Sequence, residues 1–153
     1  MGWMVIRVRG GIHARRDIVE TLDLLHLTRP NHATVLPEST SARGMLLKVQ
    51  GYVTWGEAEP ETLGLLLAQR GESRSGTRLE AALPGAPKGS GVDLPGLARE
   101  VLTSGLAHAE AVRPLFRLKP PKGGWKSTKR PFALGGALGY RGRAINDLAR
   151  KML

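Results

Sequence analysis

The stretch MVIRVR at residues 4–9 decides the first element of the fold. Its apolar side chains stand at every second position, and a period of two is typical of a β-strand that buries one face. Arg7 and Arg9 stand at the alternate positions. The sequence therefore predicts a strand with one buried face and one charged face, ended by the Gly-Gly pair that follows it.

The residues after this strand alternate between helical and strand periodicity. Ile18, Leu22 and Leu25 recur at helical intervals, and the proline after Arg29 disfavours helical backbone at that arginine. The elements predicted here are a helix from about residue 14 to residue 29, a strand at residues 32–36, a helix capped by Ser39 or Thr40 that ends at Gly51, and a strand at residues 52–55. Residues 1–56 thus form a β-α-β-α-β unit, with its helices expected on one face of a small sheet.

Two further modules differ from this unit in composition. Residues 57–112 form an acidic helical module, and residues 113–153 form a basic, Gly-rich extension. The elements predicted in them are a helix at residues 60–70, a Gly- and Pro-rich loop at residues 71–92, a helix from Asp93 to Gly105, an edge strand at residues 115–119 and a short C-terminal helix. The last helix is too short to be stable alone, so we expect it to dock on another part of the protein.

The formal net charge of +10 is concentrated at one end of the chain. Residues 1–56 carry 7 basic and 4 acidic residues, and residues 57–112 carry 5 basic and 8 acidic residues. Residues 113–153 carry 11 basic residues and Asp147 as the one acidic residue. Self-repulsion at this density disfavours compaction unless a polyanion neutralises it. Nucleic acid is the first candidate, and an anionic membrane surface is the second.

The composition also excludes several classes of site. The chain has no cysteine, which rules out disulfides and thiolate metal sites. His13, His26, His32 and His108 are scattered without the paired spacing of metal ligands. We find no signal peptide and no apolar run that approaches the length of a membrane span. These observations predict a cytosolic protein without a metal or cofactor.

Two glycine motifs resemble nucleotide-binding loops only superficially. In KGGWKST, at residues 122–128, Trp125 stands before Lys126 where a phosphate loop requires glycine, and prolines precede the motif instead of a strand. GALGYRG, at residues 136–142, fails the dinucleotide fingerprint on its spacing. No acid–base pair with a supporting partner can be assembled. The sequence therefore predicts that the protein is not an enzyme.

The stretch GGWKSTKRPFALGGALGYRGR, at residues 123–143, favours RNA as the partner. It holds six glycines, five Lys or Arg residues and no carboxylate. It has too few large apolar side chains for a core of its own, so we expect it to fold against structured RNA. Aromatic rings interleave with its cations and either stack on unpaired bases or anchor the segment to its own domain. Duplex DNA is disfavoured because no recognition helix is present, and a membrane because no basic amphipathic helix is present.

Five motifs resemble a known family in order and spacing. They are RGMLLKV at residues 43–49, YVTWGE at residues 52–57, LLAQRG at residues 66–71, FRLKPPKGG at residues 116–124 and GGALGYRG at residues 135–142. The chain resembles the long, archaeal-type form of large-ribosomal-subunit protein thirty, whose eukaryotic counterpart carries the number seven. The resemblance covers nearly the whole chain, and residues 72–92 depart from it because they are shorter and richer in Gly and Pro.

The resemblance implies an α+β fold, with a ferredoxin-like, split β-α-β layer and an antiparallel sheet in the N-terminal module. It implies a structural constituent of the large ribosomal subunit that binds rRNA and neighbouring ribosomal proteins, and it leaves open whether 5S rRNA is contacted. From the residues alone, two alternatives stay open. One is a non-ribosomal RNA-binding cofactor in RNA processing or modification, and the other is an enzyme acting on nucleotides.

The candidate rRNA-binding residues come from two sources. The resemblance implies Arg15, Arg16, Arg43, Gly44 and Lys48. The charge pattern adds Arg7, Arg9, Arg117, Lys119, Lys122, Gly123, Gly124, Trp125, Lys126, Lys129, Arg130, Gly135, Gly136, Tyr140, Arg141 and Arg143. Arg43 and Lys48 could instead be solvent charges on an exposed helix. The sheet face of Arg7 and Arg9 could instead be covered by the C-terminal strand.

Overall fold

The fold is seen in a computed structural model that describes residues 2–10, 14–70, 99, 101–103, 105, 115–125 and 129–153. Its strands are β1 (Gly2–Arg7), β2 (His32–Pro37), β3 (Val53–Glu57), β4 (Phe116–Arg117) and β5 (Gly139–Tyr140). Its helices are α1 (Arg16–Leu24), α2 (Thr40–Val49), α3 (Pro60–Arg70) and α4 (Ala144–Lys151), with a 3-10 turn at Phe132–Leu134. Residues 101–103 are also helical.

The five strands form one mixed sheet in the order β4-β2-β1-β3-β5. β1 lies at the centre and pairs antiparallel with β2 and with β3, so that Val5 stands between Thr34 and Trp55. β4 pairs antiparallel with β2, whereas β5 pairs parallel with β3. Because β2 and β3 lie on either side of β1, the unit β2-α2-β3 is a split β-α-β unit. The predicted α+β, ferredoxin-like class is confirmed.

One face of the sheet packs against α1 and α2. Val5 and Trp55 from the sheet meet Leu22 from α1 and Leu46 from α2 in a buried cluster. The side chain of Ser39 accepts a hydrogen bond from the Ala42 amide at 3.1 Å and caps α2.

The opposite face of the sheet carries the larger core. Met4 and Ile6 of β1 pack there with Leu66 of α3, Phe116 of β4 and Ile145 of α4. The two helices of residues 1–56 thus lie together on one face, as expected for that unit, and the helices of the opposite face come from the rest of the chain. The acidic module and the basic extension supply the second helical layer, and β1 is buried on both of its faces.

α1 ends earlier than the proline signal predicted. It runs from Arg16 to Leu24, and His26 follows in the left-handed region with φ of 62°. The Leu27 amide donates to the Leu22 carbonyl, and the His26 amide donates to the Asp23 carbonyl, at 2.9 and 3.0 Å. This pair of bonds is a Schellman motif, which satisfies the last helical carbonyls without a glycine. The turn directs Leu27 into the core, where it is fully buried.

The basic extension is part of the protein core. Residues 115–119, predicted as an edge strand, supply β4, which joins the sheet beside β2. The predicted C-terminal helix is confirmed as α4, and its Asn146 side chain donates to the Glu57 carbonyl and accepts from the Glu59 amide at 3.0 and 2.9 Å. β5 was not predicted. The expectation that the Gly-rich stretch folds only against RNA is wrong for residues 136–140, where Ala137 and Leu138 are buried.

A close backbone contact explains two of the glycines. A Cβ on Gly56 would lie 1.8 Å from the carbonyl oxygen of Gly142, which itself has φ of 58°. The glycines therefore let β3 and the segment after β5 touch.

Some predictions lie outside the described residues. They are the loop at residues 71–92, most of the helix predicted from Asp93, and the residues Lys126, His13 and His108. Gly105, predicted to end that helix, is described and has φ of 87°.

Candidate nucleic-acid interface

The start of α1 and the end of α2 bring three candidate cations together. The guanidinium of Arg15 lies 3.3 Å and the Lys48 Nζ 3.8 Å from Asp17 Oδ2, while Arg16 pairs with Glu20 at 3.1 Å. The side chains of Arg15 and Arg16 are 79% and 94% exposed. Such surface ion pairs contribute at most about 1 kcal/mol, so phosphate can replace the carboxylates at little energetic cost.

Arg7 lies inside the fold. It is 4% exposed, and its guanidinium donates to the carbonyls of Leu27 and Arg9 at 2.6 and 2.9 Å. Burial lowers the pKa of Arg7, and the nearby Asp23 opposes that shift. Its sheet face is covered by α1 and the turn after it, rather than by a C-terminal strand. The geometry therefore removes Arg7 from the set of surface cations.

Arg9 is half-buried at the edge of the same face. Its guanidinium lies 5.3 Å from the centre of the Tyr52 ring and donates to the Gly51 carbonyl at 3.4 Å. A stacked guanidinium of this kind keeps unused donors, so Arg9 remains a candidate.

The cations of the extension fall into two groups. Eight of the described ones are exposed to solvent: Arg117, Lys119, Lys122, Lys129, Arg130, Arg143, Arg150 and Lys151. Arg141 is half-buried instead, with its Nε donating to Thr54 Oγ1 and its Nη2 donating to the Ala137 carbonyl, both at 2.7 Å. Its guanidinium lies 4.9 Å from the centre of the Phe132 ring. Burial lowers the pKa of Arg141, because its charge is partly removed from water.

The candidate glycines also divide by their surroundings. A Cβ on Gly136 would lie 1.9 Å from the Arg130 carbonyl oxygen, so this close contact by itself requires glycine at position 136. Gly123, Gly124 and Gly135 have φ of 83°, 74° and 82° and serve turns. Gly44 is exposed in the middle of α2, and a Cβ there would meet nothing within 4 Å. Within the described structure, Gly44 is thus a helix-weakening residue without an internal cause.

Tyr140 lies in a groove between α2 and β3. The groove, of about 640 Å³, is also lined by Trp3, Trp55 and Arg43. The ring of Tyr140 is 6.3 Å from that of Trp55, and its hydroxyl donates to the Glu57 carboxylate, which raises the pKa of Tyr140. The ring is therefore anchored to its own domain on one side and remains 52% exposed on the other.

A second pocket, of about 260 Å³, lies between the extension and α4. Its lining includes the candidates Lys122, Trp125 and Arg141, together with Phe132 and Lys151. The prediction did not nominate the last two residues. Phe132 stood among the interleaved aromatic rings, and Lys151 is explained equally well as a cation at a helix C-terminus. Only the fold brings them to the same pocket.

The comparisons with known proteins agree with the fold. A family model described as ribosomal protein L30p/L7e matches residues 3–53, from β1 to the first residue of β3. The large ribosomal subunit protein uL30 of Methanococcus vannielii is 41% identical, with 100% of both chains covered. Those of Methanosphaera stadtmanae and Methanopyrus kandleri are 38% and 40% identical, with 99% and 95% of this chain covered and 99% and 100% of theirs. The chain belongs to the ribosomal protein L30p/L7e family.

As a member of the L30p/L7e family, the chain extends beyond the part that the family model matches. The full-length relatives also align with the acidic module and the basic extension, which contribute β4, β5 and α4. Among the described residues, no group of His, Asp or Glu side chains is placed to hold a metal ion. No helix in the described ranges is long and apolar enough to cross a membrane.

Proposed function

We propose that this protein is a structural constituent of the large ribosomal subunit and that it binds and stabilises rRNA. The observation that carries the proposal is full-length similarity to proteins named for that subunit. The exposed cations at the start of α1 and along the extension support the finer statement about rRNA. The family consists of structural proteins, so no catalytic role is assigned. The protein then works on cytoplasmic ribosomes, beside other ribosomal proteins.

The mechanism is electrostatic and depends on a rigid scaffold. Cations that neutralise phosphates release condensed counterions, and this supplies sequence-independent affinity. Arg15 and Arg16 lie at the N-terminus of α1, while Arg117 lies in β4 and Arg143 directly precedes α4. Because these elements are fixed to one sheet, the cations keep their spacing before RNA binds. Less conformational entropy is then lost on binding than for an unfolded basic tail.

Two double variants, each with two arginines replaced by neutral glutamine, test the rRNA part of the proposal. The variant Arg15→Gln/Arg16→Gln removes two cations from the candidate interface. We expect it to bind large-subunit rRNA more weakly, with a salt slope reduced by about 0.7–0.9 per cation. The matched control, Arg70→Gln/Arg99→Gln, removes the same charge from the acidic module and should keep the wild-type slope. Equal slopes for both variants would contradict an interface at α1.

Co-sedimentation separates a ribosomal protein from a transient cofactor. We expect the full chain to remain with large subunits after a high-salt wash that removes loosely bound factors. Recovery in the soluble fraction would instead favour the alternative, an RNA-binding cofactor in RNA processing or modification.

A further inference from the structure

The pocket between the extension and α4 has the dimensions of a small-molecule site. At about 260 Å³ it lies just below the range for ligand pockets, about 300–1,000 Å³. Its walls come from the segment after β4, from the 3-10 turn and from both ends of α4. A nucleic-acid helix cannot enter a space of this size, whereas a single unstacked nucleotide is of the right order.

The charge of the lining favours an anionic ligand. Among the described residues that line the pocket, Lys122, Arg141 and Lys151 are the cations and Asp147 is the one acidic residue. The groove beside α2 shows the opposite balance, since Arg43 is there accompanied by Glu38 and Glu57. A phosphate group is therefore attracted to the pocket and repelled from the groove.

Arg141 gives the pocket an incompletely compensated cation. A guanidinium has five N–H donors. The two hydrogen bonds of Arg141 go to the neutral hydroxyl of Thr54 and the neutral carbonyl of Ala137, and Phe132 covers one face of the group. A half-buried charge is costly when no carboxylate pairs with it, and none does among the residues that the structure describes. An acceptor bound in the pocket would offset that cost by using the remaining donors.

The aromatic side chains of the lining suit a base. Phe132 is 41% exposed although it lies against Arg141, and Trp125 is half-buried where the segment after β4 reaches the pocket. Bases stack on aromatic rings and on guanidinium planes wherever RNA is unpaired. We propose that this pocket binds one unstacked nucleotide of RNA, with its base against Phe132 and Trp125 and its phosphate at Lys122, Arg141 and Lys151. The inference rests on the proposed binding of rRNA and assigns one site within it.

A matched pair of substitutions on the 3-10 turn tests the stacking part. Phe132 lines the pocket, whereas Leu134 is on the same turn, is 71% exposed and does not line the pocket. We expect Phe132→Ala to weaken binding to large-subunit rRNA by about 5- to 150-fold, the range for one stacked base. The salt slope should stay unchanged, because no cation is lost. Leu134→Ala should bind as the wild type does.

The two proposals fail in different ways in this experiment. If Phe132→Ala binds rRNA with wild-type affinity, the nucleotide pocket is wrong and the rRNA-binding function stands. If the wild-type chain itself does not bind rRNA, both are wrong. If Phe132→Ala is unfolded by circular dichroism, Lys151→Gln replaces it, and a salt slope unchanged from wild type then overturns the inference.

A second measurement observes the pocket directly on the full chain. The three tryptophans are replaced by 5-fluorotryptophan and observed by fluorine NMR. The resonance of Trp125 is assigned as the one that is missing from the Trp125→Phe variant. Titration with the RNA tetranucleotide AAAA should shift the Trp125 signal and leave those of Trp3 and Trp55 in place. An abasic ribose–phosphate oligomer of the same length tests whether the base is needed. An equal shift with the abasic oligomer, or no shift with AAAA, overturns the inference.

Discussion

At the scale of single residues, Gly44 shows how a local cost points to a partner. Glycine inside a helix destabilises the helix by about 1 kcal/mol relative to alanine. No contact in the described structure requires the Cβ to be absent at position 44. We expect Gly44→Ala to raise the free energy of unfolding by about 0.5–1 kcal/mol, measured by urea denaturation, because the helix gains propensity. If the proposed rRNA interface includes the α2 backbone at Gly44, the same variant should bind large-subunit rRNA more weakly, because the added Cβ would stand between the RNA and that backbone.

Gly64 provides the control for this prediction. It lies inside α3, and a Cβ there would also meet nothing within 4 Å. Gly64→Ala should therefore raise stability by a similar amount and leave rRNA affinity unchanged. Loss of rRNA affinity in both variants, or in neither, would mean that α2 is not the helix that RNA approaches.

Arg7 separates structural cations from binding cations. Arg7→Ala removes two hydrogen bonds from a charged donor and leaves the space of a buried side chain, so we expect a loss of about 2–4 kcal/mol in unfolding free energy. The salt slope of rRNA binding, measured at a temperature where the variant is folded, should equal that of the wild type. A reduced slope with unchanged stability would return Arg7 to the RNA-facing set.

At the scale of elements, the extension can order without RNA. The Arg141 amide donates to the Trp55 carbonyl at 2.9 Å, and the Leu138 amide donates to the Arg130 carbonyl at 3.2 Å. We therefore expect both amides to be protected from hydrogen exchange in the free protein, on the timescale of those in β1. Exchange of both at unprotected rates, with β1 still protected, would show that β5 forms only when RNA is bound.

Periodicity predicted the elements that follow local rules. β1, β2 and β3 occur within two residues of their predicted bounds, and α3 occurs as predicted. The end of α1 was wrong, because a Schellman turn at a non-glycine residue has no clear sequence signal. β5 contains two residues and pairs with a strand over eighty positions earlier, so no local pattern could reveal it. Of the candidate site, the surface cations were predictable, but the burial of Arg7 and the pocket at Arg141 depend on tertiary packing.

At the scale of the whole molecule, net charge acts in opposite directions before and after binding. The free chain carries a formal charge of +10, and 11 of its cations lie in residues 113–153, where only Asp147 opposes them. The fold holds much of this charge against a single sheet, through β4, β5 and α4, so self-repulsion destabilises the free protein. Added salt screens that repulsion, while it weakens contacts with phosphate.

Because salt should stabilise the free protein and weaken its binding to rRNA, the two effects can be measured together. A protein without net charge would not be stabilised in this way. Raising KCl from about 50 to about 200 mM shortens the Debye length and should raise the Tm of the free protein by a few degrees. The same change should lower rRNA affinity by about 10³–10⁵-fold if six to ten phosphates are contacted. Differential scanning calorimetry and filter binding measure the two effects on one preparation. If Tm falls or stays constant while affinity drops, the cations of the extension are spaced widely enough in the free protein that RNA is not needed to relieve their repulsion.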